Sequence, residues 1–153
     1  IIQKAVELGV HEVIPMATKR CVVKLDEKKA VSKINRWQGI AEAAAKQSKR
    51  GVIPQVHSVM NMKEAVAYAG EMEVRLIPYE LAEDMAHTKQ LIEQVKPGQK
   101  VAIFIGPEGG FEEAEVQMAL EAGIEPITLG RRILRTETAG FTILSWLMYH
   151  LEQ

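Results

Sequence analysis

The chain has 153 residues, of which 47% are hydrophobic and 25% charged, and its formal net charge is −1. This composition is typical of one globular domain with a sizeable core, and no apolar stretch approaches the length of a membrane span. The single cysteine, Cys21, excludes an internal disulfide and indicates a reducing compartment, so we expect a cytoplasmic protein. The four histidines share no metal-ligand spacing with one another or with Cys21, and we predict no metal site.

The net charge is low because the positive charge of one basic segment is balanced by the negative charge of the rest of the chain. Residues 19–50 contain ten Lys and Arg and three acidic residues, a formal charge of +7, which leaves −8 on the rest of the chain. A local basic face is a modest indication of a polyanionic partner such as RNA, and a solvated helix face explains it equally well. The chain begins at Ile1 without a methionine, so we expect it to be part of a longer protein.

Helical and extended patterns alternate along the whole chain. Helices are predicted at 1–8, 26–48, 61–70, 84–95 and 112–123, with a last helix that starts at Thr136 or Thr138 and ends at Leu151. Extended segments are predicted at 10–16, 20–25, 52–56, 73–77, 101–105 and 126–129. We expect Gly9 to close the first helix in the left-handed conformation and Asp26 to cap the second. Asn61 and Glu64 have the spacing of a capping box. The alternation predicts an α/β fold with a largely parallel sheet.

Two of the predicted helices have informative apolar patterns. The second has one apolar stripe at helical spacing, formed by Val31, Ile34, Trp37, Ala41, Ala44 and Ala45. The last is apolar almost all round, through Phe141, Ile143, Leu144, Trp146, Leu147, Met148 and Tyr149. Such a helix requires burial on more than one side, and in a small domain the second side is often another subunit. We therefore predict a homodimer.

Two apolar runs end in loops that have the composition of a ligand site. The run 101–105 precedes the sequence GPEGG at 106–110, and the run 126–129 precedes GRRILRTETA at 130–139. Uninterrupted apolar runs are typical of parallel strands, whose carboxyl ends share the edge at which open α/β sheets bind ligands. The first loop lacks the spacing of a dinucleotide fingerprint or a P-loop, and Glu108 disfavours a phosphate. It suits a neutral or cationic ligand held by backbone groups, or it is simply a tight turn.

The second loop carries three arginines within five residues, namely Arg131, Arg132 and Arg135. Because Ile133 and Leu134 lie between them, we expect at least one guanidinium to face an anionic or electron-rich substrate. The alternative is a helix cap with an internal ion pair made by residues 135–138.

Together, IGPEGGF at 105–111 and LGRRILRTETA at 129–139 closely resemble the loop motifs of the SPOUT, or trefoil-knot, methyltransferases. Within that class the chain is similar to the bacterial 16S ribosomal RNA uridine-N3 methyltransferase family. Further matches are QKAVELG at 3–9, Arg36-Trp37 and AAAKQS at 43–48, so the resemblance extends over nearly the whole chain. Glu112 and Arg131 depart from the residues usual at those positions, and neither lies in the core of the motifs.

The resemblance implies a cofactor, a topology and an assembly. S-adenosylmethionine is implied to bind in a bent form between three loops, and the chain after Gly130 to thread a loop and form a deep trefoil knot. The active site is implied to lie at a homodimer interface. Family members carry an N-terminal PUA-like RNA-binding domain, so we expect residues 1–153 to be the SPOUT methyltransferase domain without that domain and without its own first strand. The implied cofactor residues are Ile77, Pro78, Tyr79, Glu80, Ile105, Gly106, Pro107, Glu108, Gly109, Gly110, Leu129, Gly130, Ile133, Leu134, Thr138 and Ala139.

The implied reaction is methylation of uridine N3 in 16S ribosomal RNA of the 30S subunit. The neutral imide nitrogen has no usable lone pair, so the reaction needs a base for the N3 proton or a cation beside the anion that remains. The candidates are Arg132 and Arg135 for the cation, Glu108 and Glu137 for the base or for orienting an arginine, and Lys46, Lys49, Arg50 and Arg131 for RNA contacts.

Two alternatives remain open on the sequence alone. One is another knot methyltransferase, which acts on transfer RNA or on a ribose 2′-hydroxyl and leaves a modification other than 3-methyluridine. The other is a non-catalytic RNA-binding module, which binds RNA without binding the cofactor.

Overall fold

The computed structural model of the protein describes residues 1–20 and 26–152, so Cys21 and most of the predicted extended segment 20–25 lie outside the described residues. The helices are α1 (Ile2–Glu7), α2 (Glu27–Gln47), α3 (Met62–Tyr68), α4 (Met85–Glu93), α5 (Glu113–Glu121) and α6 (Thr136–Leu151), and a 3₁₀ turn spans Ala69–Glu71. The strands are β1 (Glu12–Val13), β2 (Met16–Ala17), β3 (Gln55–Val56), β4 (Met60–Asn61), β5 (Val74–Pro78), β6 (Val101–Ile103) and β7 (Glu125–Ile127). None of the described helices is long and apolar enough to cross a membrane.

All the strand pairs of the described chain are parallel. β1 pairs with β3, β2 pairs with β4, and β5 lies between β6 and β7 in a three-stranded sheet. In that sheet Leu76 is opposite Ile103, and Pro78 is opposite Ile127. The predicted α/β fold with parallel sheets is confirmed, and the carboxyl ends of β5, β6 and β7 meet at one edge.

Helices cover both faces of the central strand β5. Successive side chains of a strand point to opposite faces, and Leu76 and Ile77 are both fully buried. Leu76 lies in an apolar cluster that α4 and α6 supply, with Ile92, Ile143 and Leu147 as members. Ile77 lies in a second cluster, which α3 and α5 supply. Burial on both sides explains why the strands have uninterrupted apolar sequences.

The strands other than β5 are shorter than predicted, and prolines account for two of the differences. The segment 10–16 forms β1 and β2 on either side of Ile14 and Pro15. The segment 52–56 forms a strand only at Gln55–Val56, and Val52 and Ile53 are exposed. Pro54 has no N–H to donate to a ladder, and its carbonyl instead accepts a hydrogen bond from Gln38 Nε2 of α2 at 2.9 Å.

The predicted helix ends agree with the structure in most places. Gly9 has φ +94°, Asp26 accepts a hydrogen bond from the Lys29 amide at 2.8 Å, and Asn61 with Glu64 forms the capping box. One prediction was wrong. Val31 was expected on the apolar stripe of α2, but it is 59% exposed, because it precedes the part of α2 that packs on α1. α2 ends at Gln47 with Ser48 as its C-cap, which agrees with the predicted end.

A polar cluster joins α3 to the strands β1 and β3. Glu12 accepts hydrogen bonds from the Tyr68 hydroxyl at 2.7 Å and from His57 Nε2 at 2.8 Å, and its side chain is 22% exposed. Burial by itself raises the pKa of the Glu12 carboxyl, but the hydrogen bonds from Tyr68 and His57 outweigh it and hold this pKa below its usual value of 4.5. The same bond raises the pKa of the Tyr68 hydroxyl.

We expect Glu12→Gln to make the fold less sensitive to acid. A lowered carboxyl pKa in the folded state stabilises the fold above the unfolded pKa, and the contribution is lost as the pH falls through the folded value. The difference in melting temperature between the wild type and Glu12→Gln should therefore shrink between about pH 5 and about pH 3. Thermal melts at several pH values measure it, and a difference independent of pH would contradict the role of Glu12.

Candidate active site

Three loops leave the edge at which the central strands end. We name them the β5 loop (79–84), the β6 loop (104–112) and the β7 loop (128–135). The Tyr79 amide donates a hydrogen bond to the Ile127 carbonyl at 3.0 Å, which joins the β5 loop to the end of β7. The Thr136 hydroxyl donates to the Gly106 carbonyl at 3.0 Å, which joins the start of α6 to the β6 loop. The sequence predicted that the glycine-rich loop at 106–110 and the arginine-rich loop at 130–139 share one edge of the sheet. This arrangement confirms that prediction.

A buried threonine on α4 holds the start of the β7 loop. Thr88 is 1% exposed, and its hydroxyl accepts a hydrogen bond from the Thr128 amide at 3.1 Å. The Thr128 hydroxyl in turn accepts from the Gly130 amide at 3.2 Å, and Gly130 has φ +114°. This φ favours glycine, so the backbone turns sharply here before the arginines. Thr88 is not among the residues predicted from the sequence, because a threonine within an amphipathic helix has no distinguishing pattern.

The β6 loop is compact and built on its own backbone. The Gly110 amide donates a hydrogen bond to the Pro107 carbonyl at 2.8 Å, and Gly110 has φ +76°. A Cβ on Gly106 would lie 3.2 Å from both the backbone nitrogen and the Cδ2 of Phe111. The loop therefore folds back on Gly106 so closely that a side chain there would displace Phe111.

We expect Gly106→Ala to weaken binding of any ligand of the β6 loop with little effect on the rest of the fold. The added methyl group contacts the Phe111 backbone, which has to move by a few tenths of an ångström. The hydrogen bond from Thr136 to the Gly106 carbonyl would be strained as well. Calorimetric titration with S-adenosylmethionine measures the effect, and Gly70→Ala is the matched control, because a Cβ there meets nothing within 4 Å. Equal affinity for the two variants would contradict this account.

A segment far away in sequence also reaches the β6 loop. Arg20 Nη1 donates a hydrogen bond to the Gly109 carbonyl at 2.9 Å. The Lys19 amide donates to Glu115 Oε2 at 3.3 Å, and Glu115 Oε1 accepts from the Glu112 amide at 2.9 Å. Glu115 is 6% exposed, so one buried carboxyl fixes both the start of α5 and the segment 18–20. From the sequence, Arg20 belongs to the basic segment and begins the predicted extended segment 20–25, and neither pattern predicts its contact with Gly109.

The structure places the predicted cofactor residues at this one edge, on the strand ends, the loops and the start of α6. Ile77 is buried in the sheet, Pro78 ends β5, and Tyr79 and Glu80 begin the β5 loop. Thr138 and Ala139 lie in the first turn of α6, where Ala139 is buried. The members in the β6 and β7 loops are Ile105, Gly106, Pro107, Glu108, Gly109, Gly110, Leu129, Gly130, Ile133 and Leu134.

The four candidates for the chemistry lie in the β6 loop, in the β7 loop and at the start of α6. Arg132, Arg135 and Glu108 are exposed, and Glu137 is half-buried in the first turn of α6. The ion pair within 135–138, which was the alternative to a substrate contact, is absent from residues 1–20 and 26–152, where the ion pairs are those of Lys46, His57 and His87. The helix cap of that alternative is absent as well, because the Thr136 hydroxyl binds the β6 loop instead of capping its own helix.

The candidates for RNA contact differ in their surroundings. Lys46 is exposed and forms an ion pair with Glu42 at 3.2 Å, and Lys49 is exposed with φ +61°. Arg50 Nη1 donates hydrogen bonds to the carbonyls of Val6 at 3.1 Å and Val10 at 2.7 Å. Arg50 therefore fastens the end of α2 to α1, and a contact with RNA stays a prediction for it, as for exposed Arg131.

Two concave regions lie away from the three loops. A groove of about 550 Å³ between α1 and α2 is lined by residues such as Lys4, Glu7 and Gln47. A second region, of about 310 Å³, lies at the start of β5 beside Arg75 and Glu125. Neither is lined by a predicted cofactor residue. We assign the site to the three loops because they share the carboxyl edge of a parallel sheet, where such folds bind their ligands.

The residues of the three loops fit S-adenosylmethionine better than they fit an anionic cofactor or a metal ion. The β6 loop contains no Lys or Arg, and its glycines have no side chain that would keep a ligand away from the backbone. Ile105 and Leu129 are half-buried and pack against the core under α6, which suits an apolar ring system. Glu108 suits a nearby positive charge such as a sulfonium. In the described part of the chain, no group of three or more His, Cys, Asp or Glu side chains is arranged to hold a metal ion.

The chain is similar to RNA methyltransferases in both sequence and structure. It is 39% identical over 155 residues to the ribosomal RNA small subunit methyltransferase E of Bacillus subtilis (strain 168), covering 99% of this chain and 60% of the relative. The protein of that name from Mesomycoplasma hyopneumoniae (strain 232) is 41% identical over 144 residues, covering 94% of this chain and 60% of the relative. The chain thus spans about 60% of the length of these curated relatives.

Two solved structures extend the comparison to the fold. A putative methyltransferase of Legionella pneumophila in complex with the cofactor SAM superposes with a TM-score of 0.88 at 36% identity, over 97% of this chain and 59% of that chain. The ribosomal RNA small subunit methyltransferase E of Neisseria gonorrhoeae bound to S-adenosyl methionine gives 0.81 at 34% identity, over 98% of this chain and 59% of that chain.

A family model for the RNA methyltransferase domain matches residues 1–148. The match includes all three loops and nearly all of α6, so it contains every residue that we place at the site. This confirms the resemblance predicted from the sequence, and the chain belongs to the RNA methyltransferase domain family.

Proposed function

We propose that the chain is the methyltransferase domain of an enzyme that methylates N3 of a uridine in 16S ribosomal RNA of the 30S subunit, with S-adenosylmethionine as the methyl donor. The observation that carries the proposal is that the three loops leave one edge of the sheet and are joined there by hydrogen bonds, from the Tyr79 amide to the Ile127 carbonyl and from the Thr136 hydroxyl to the Gly106 carbonyl. Family membership and the relatives bound to S-adenosylmethionine support it.

The cofactor would be held largely by backbone. Gly106, Gly109 and Gly110 of the β6 loop and Gly130 of the β7 loop present peptide groups without a side chain, and Leu129 supplies an apolar wall. When bound, the cofactor supplies an electrophilic methyl group. Hydrogen bonds hold the β7 loop through Thr88 and the β6 loop through Thr136. Because the loops are ordered before the ligand arrives, less conformational entropy is lost on binding.

The residues around this position would handle the charge and the proton of the uracil ring. Arg132 and Arg135 are cations close to the strand ends, and neither is paired with a carboxylate in the described chain. An unpaired guanidinium is available to stabilise the uracil anion once the N3 proton leaves. Glu108 or Glu137 would accept that proton.

RNA would reach the site across the basic surface of the chain. The side chains of Lys46, Lys49 and Arg131 are exposed, so their charges face the solvent. Contacts of this type act on phosphates irrespective of sequence, so the affinity for RNA should fall steeply as salt concentration rises.

The test is a titration followed by product identification. Calorimetry with S-adenosylmethionine shows whether the chain binds the cofactor, and incubation with 30S subunits lacking the modification, followed by nucleoside analysis, shows what is made. We expect 3-methyluridine in 16S RNA. A ribose-methylated product, or a product in transfer RNA, would indicate another knot methyltransferase. RNA binding without cofactor binding would indicate a binding module.

We further infer that the protein is a homodimer. α6 is apolar almost all round, but only Ala139, Ile143 and Leu147 are buried within the chain. Ile133, just before the start of α6, is 91% exposed and Tyr149, in its last turn, is 88% exposed, so apolar side chains without a partner in the described chain lie at both ends of this helix. Sedimentation analysis measures the mass, and Tyr149→Glu should dissociate the dimer. A monomer at all accessible concentrations would overturn this inference.

We also infer that the chain after Gly130 threads a loop to form the trefoil knot. The support is that residues following β7 bind both α4, through Thr128 and Thr88, and the β6 loop, through Thr136. Pulling the termini apart tests the inference, because a tightened knot shortens the extended chain. A fully extended length for all residues would contradict a knot.

A further inference from the structure

We propose that Arg20 is a positioning residue that holds the β6 loop in the conformation that receives the cofactor. This rests on the proposed function of that loop. The guanidinium Nη1 donates a hydrogen bond to the Gly109 carbonyl at 2.9 Å, between residues 89 positions apart. A charged donor on a neutral carbonyl makes a stronger hydrogen bond than two neutral groups do.

The side chain of Arg20 also lies against the loop along its length. A Cβ on Gly109 would be 3.4 Å from the Arg20 Cβ and 3.6 Å from its Cδ, and a Cβ on Gly110 would be 3.9 Å from Nη1. The two glycines therefore allow the arginine to approach the loop backbone closely. The GPEGG sequence thus has a partner within the chain as well as an open side for a ligand.

The backbone around Arg20 is anchored, which makes this contact more than a chance position of an exposed side chain. Thr18 is 9% exposed, and the Lys19 amide binds the buried carboxyl of Glu115. Glu115 also accepts from the Glu112 amide at the end of the β6 loop. Two connections thus join the segment 18–20 to the β6 loop, through Glu115 to its end and through Arg20 to its middle.

The consequence is that the loop is rigid at Gly109 and Gly110 without a ligand. Glycines lose more conformational freedom on ordering than other residues. A loop with three glycines therefore loses much conformational entropy when it binds a ligand, unless other contacts already order it. Arg20 supplies that constraint from outside the loop. It leaves the other side of the peptide groups open, where the cofactor would bind.

The direct test measures backbone order in the protein without cofactor. We expect NMR order parameters of Gly109 and Gly110 near 0.85, the value of a rigid backbone, in the wild type, and values below about 0.6 in Arg20→Ala. Arg20→Lys retains a donor and the charge, so it should give intermediate values. Arg36→Ala, which removes an exposed guanidinium from α2, should leave both glycines unchanged. Order parameters that are the same in Arg20→Ala and the wild type would overturn the proposal, whether or not the protein binds a cofactor.

The second measurement separates positioning from general stability. Calorimetry should show S-adenosylmethionine bound about tenfold more weakly by Arg20→Ala, with Arg20→Lys between the two, while melting temperatures stay close to that of the wild type. A disordered loop with unchanged cofactor affinity would overturn the functional part of the inference. If the wild type itself fails to bind S-adenosylmethionine, the proposed function fails, and the order parameters still decide whether Arg20 positions the loop.

Discussion

Replacing Arg132 or Arg135 with alanine is expected to lower the rate of methyl transfer by about 100- to 1,000-fold for whichever arginine faces the uracil ring. Each is an exposed cation on the β7 loop without an ion-pair partner in the described residues, so its charge is free to act on a substrate. The measurement is single-turnover transfer to 30S subunits at saturating cofactor, which separates chemistry from product release.

The matched control is Arg131→Ala on the same loop. It removes the same charge from an adjacent exposed position, and we expect it to weaken RNA binding and its salt dependence rather than the rate at saturation. All three variants should bind S-adenosylmethionine with similar affinity, since we assign the cofactor to backbone groups. Equal rates for Arg131→Ala, Arg132→Ala and Arg135→Ala would contradict the proposed role of the cations.

Replacing Ile143 with alanine is expected to destabilise the fold by about 2–5 kcal/mol, which is a large part of the total stability of a typical domain. Ile143 is fully buried on α6 and packs with Leu76 and Ile92 on one face of the sheet. Truncation removes buried apolar contacts and leaves a cavity between a helix and the central strand. Denaturant unfolding followed by circular dichroism measures the loss.

The same substitution at Ile53 is the control for Ile143→Ala. Ile53 is 47% exposed in the connection between α2 and β3, so its truncation should cost less than about 1 kcal/mol. A similar cost at both positions would mean that burial under α6 does not determine stability. Because α6 also carries Thr136, loss of Ile143 should weaken cofactor binding in proportion to the fraction unfolded.

The order of helices and strands could be predicted, because hydrophobic periodicity and helix caps depend on residues that are close together in the sequence. Asp26, Asn61 and Glu64 are recognisable within a few residues, and they form the predicted caps. Strand lengths were not predictable in the same way. The Phe104 amide donates a hydrogen bond to the Leu76 carbonyl at 2.9 Å, although Phe104 lies beyond the end of β6. The apolar run in the sequence is therefore longer than the strand.

The parts of the site that sequence reasoning missed are those held by distant partners. Arg20, Thr88 and Glu115 are ordinary members of a basic segment and two helices when only their neighbours in sequence are considered. Their importance comes from contacts with residues many positions away, such as the bond from Arg20 to Gly109. Likewise, Thr136 has the appearance of a local cap, and only the folded chain shows that its hydroxyl binds Gly106.

The central position of β5 has a consequence for the order in which the protein folds. β5 pairs with β7 although the two strands are about fifty residues apart along the chain, and pairings of that separation form slowly. The edge that carries the three loops is complete only after β7 has paired and α6 has docked on the Gly106 carbonyl. A ligand of this edge therefore recognises the finished fold alone, and at one hundred times its Kd it would add about 2.7 kcal/mol to the free energy of unfolding.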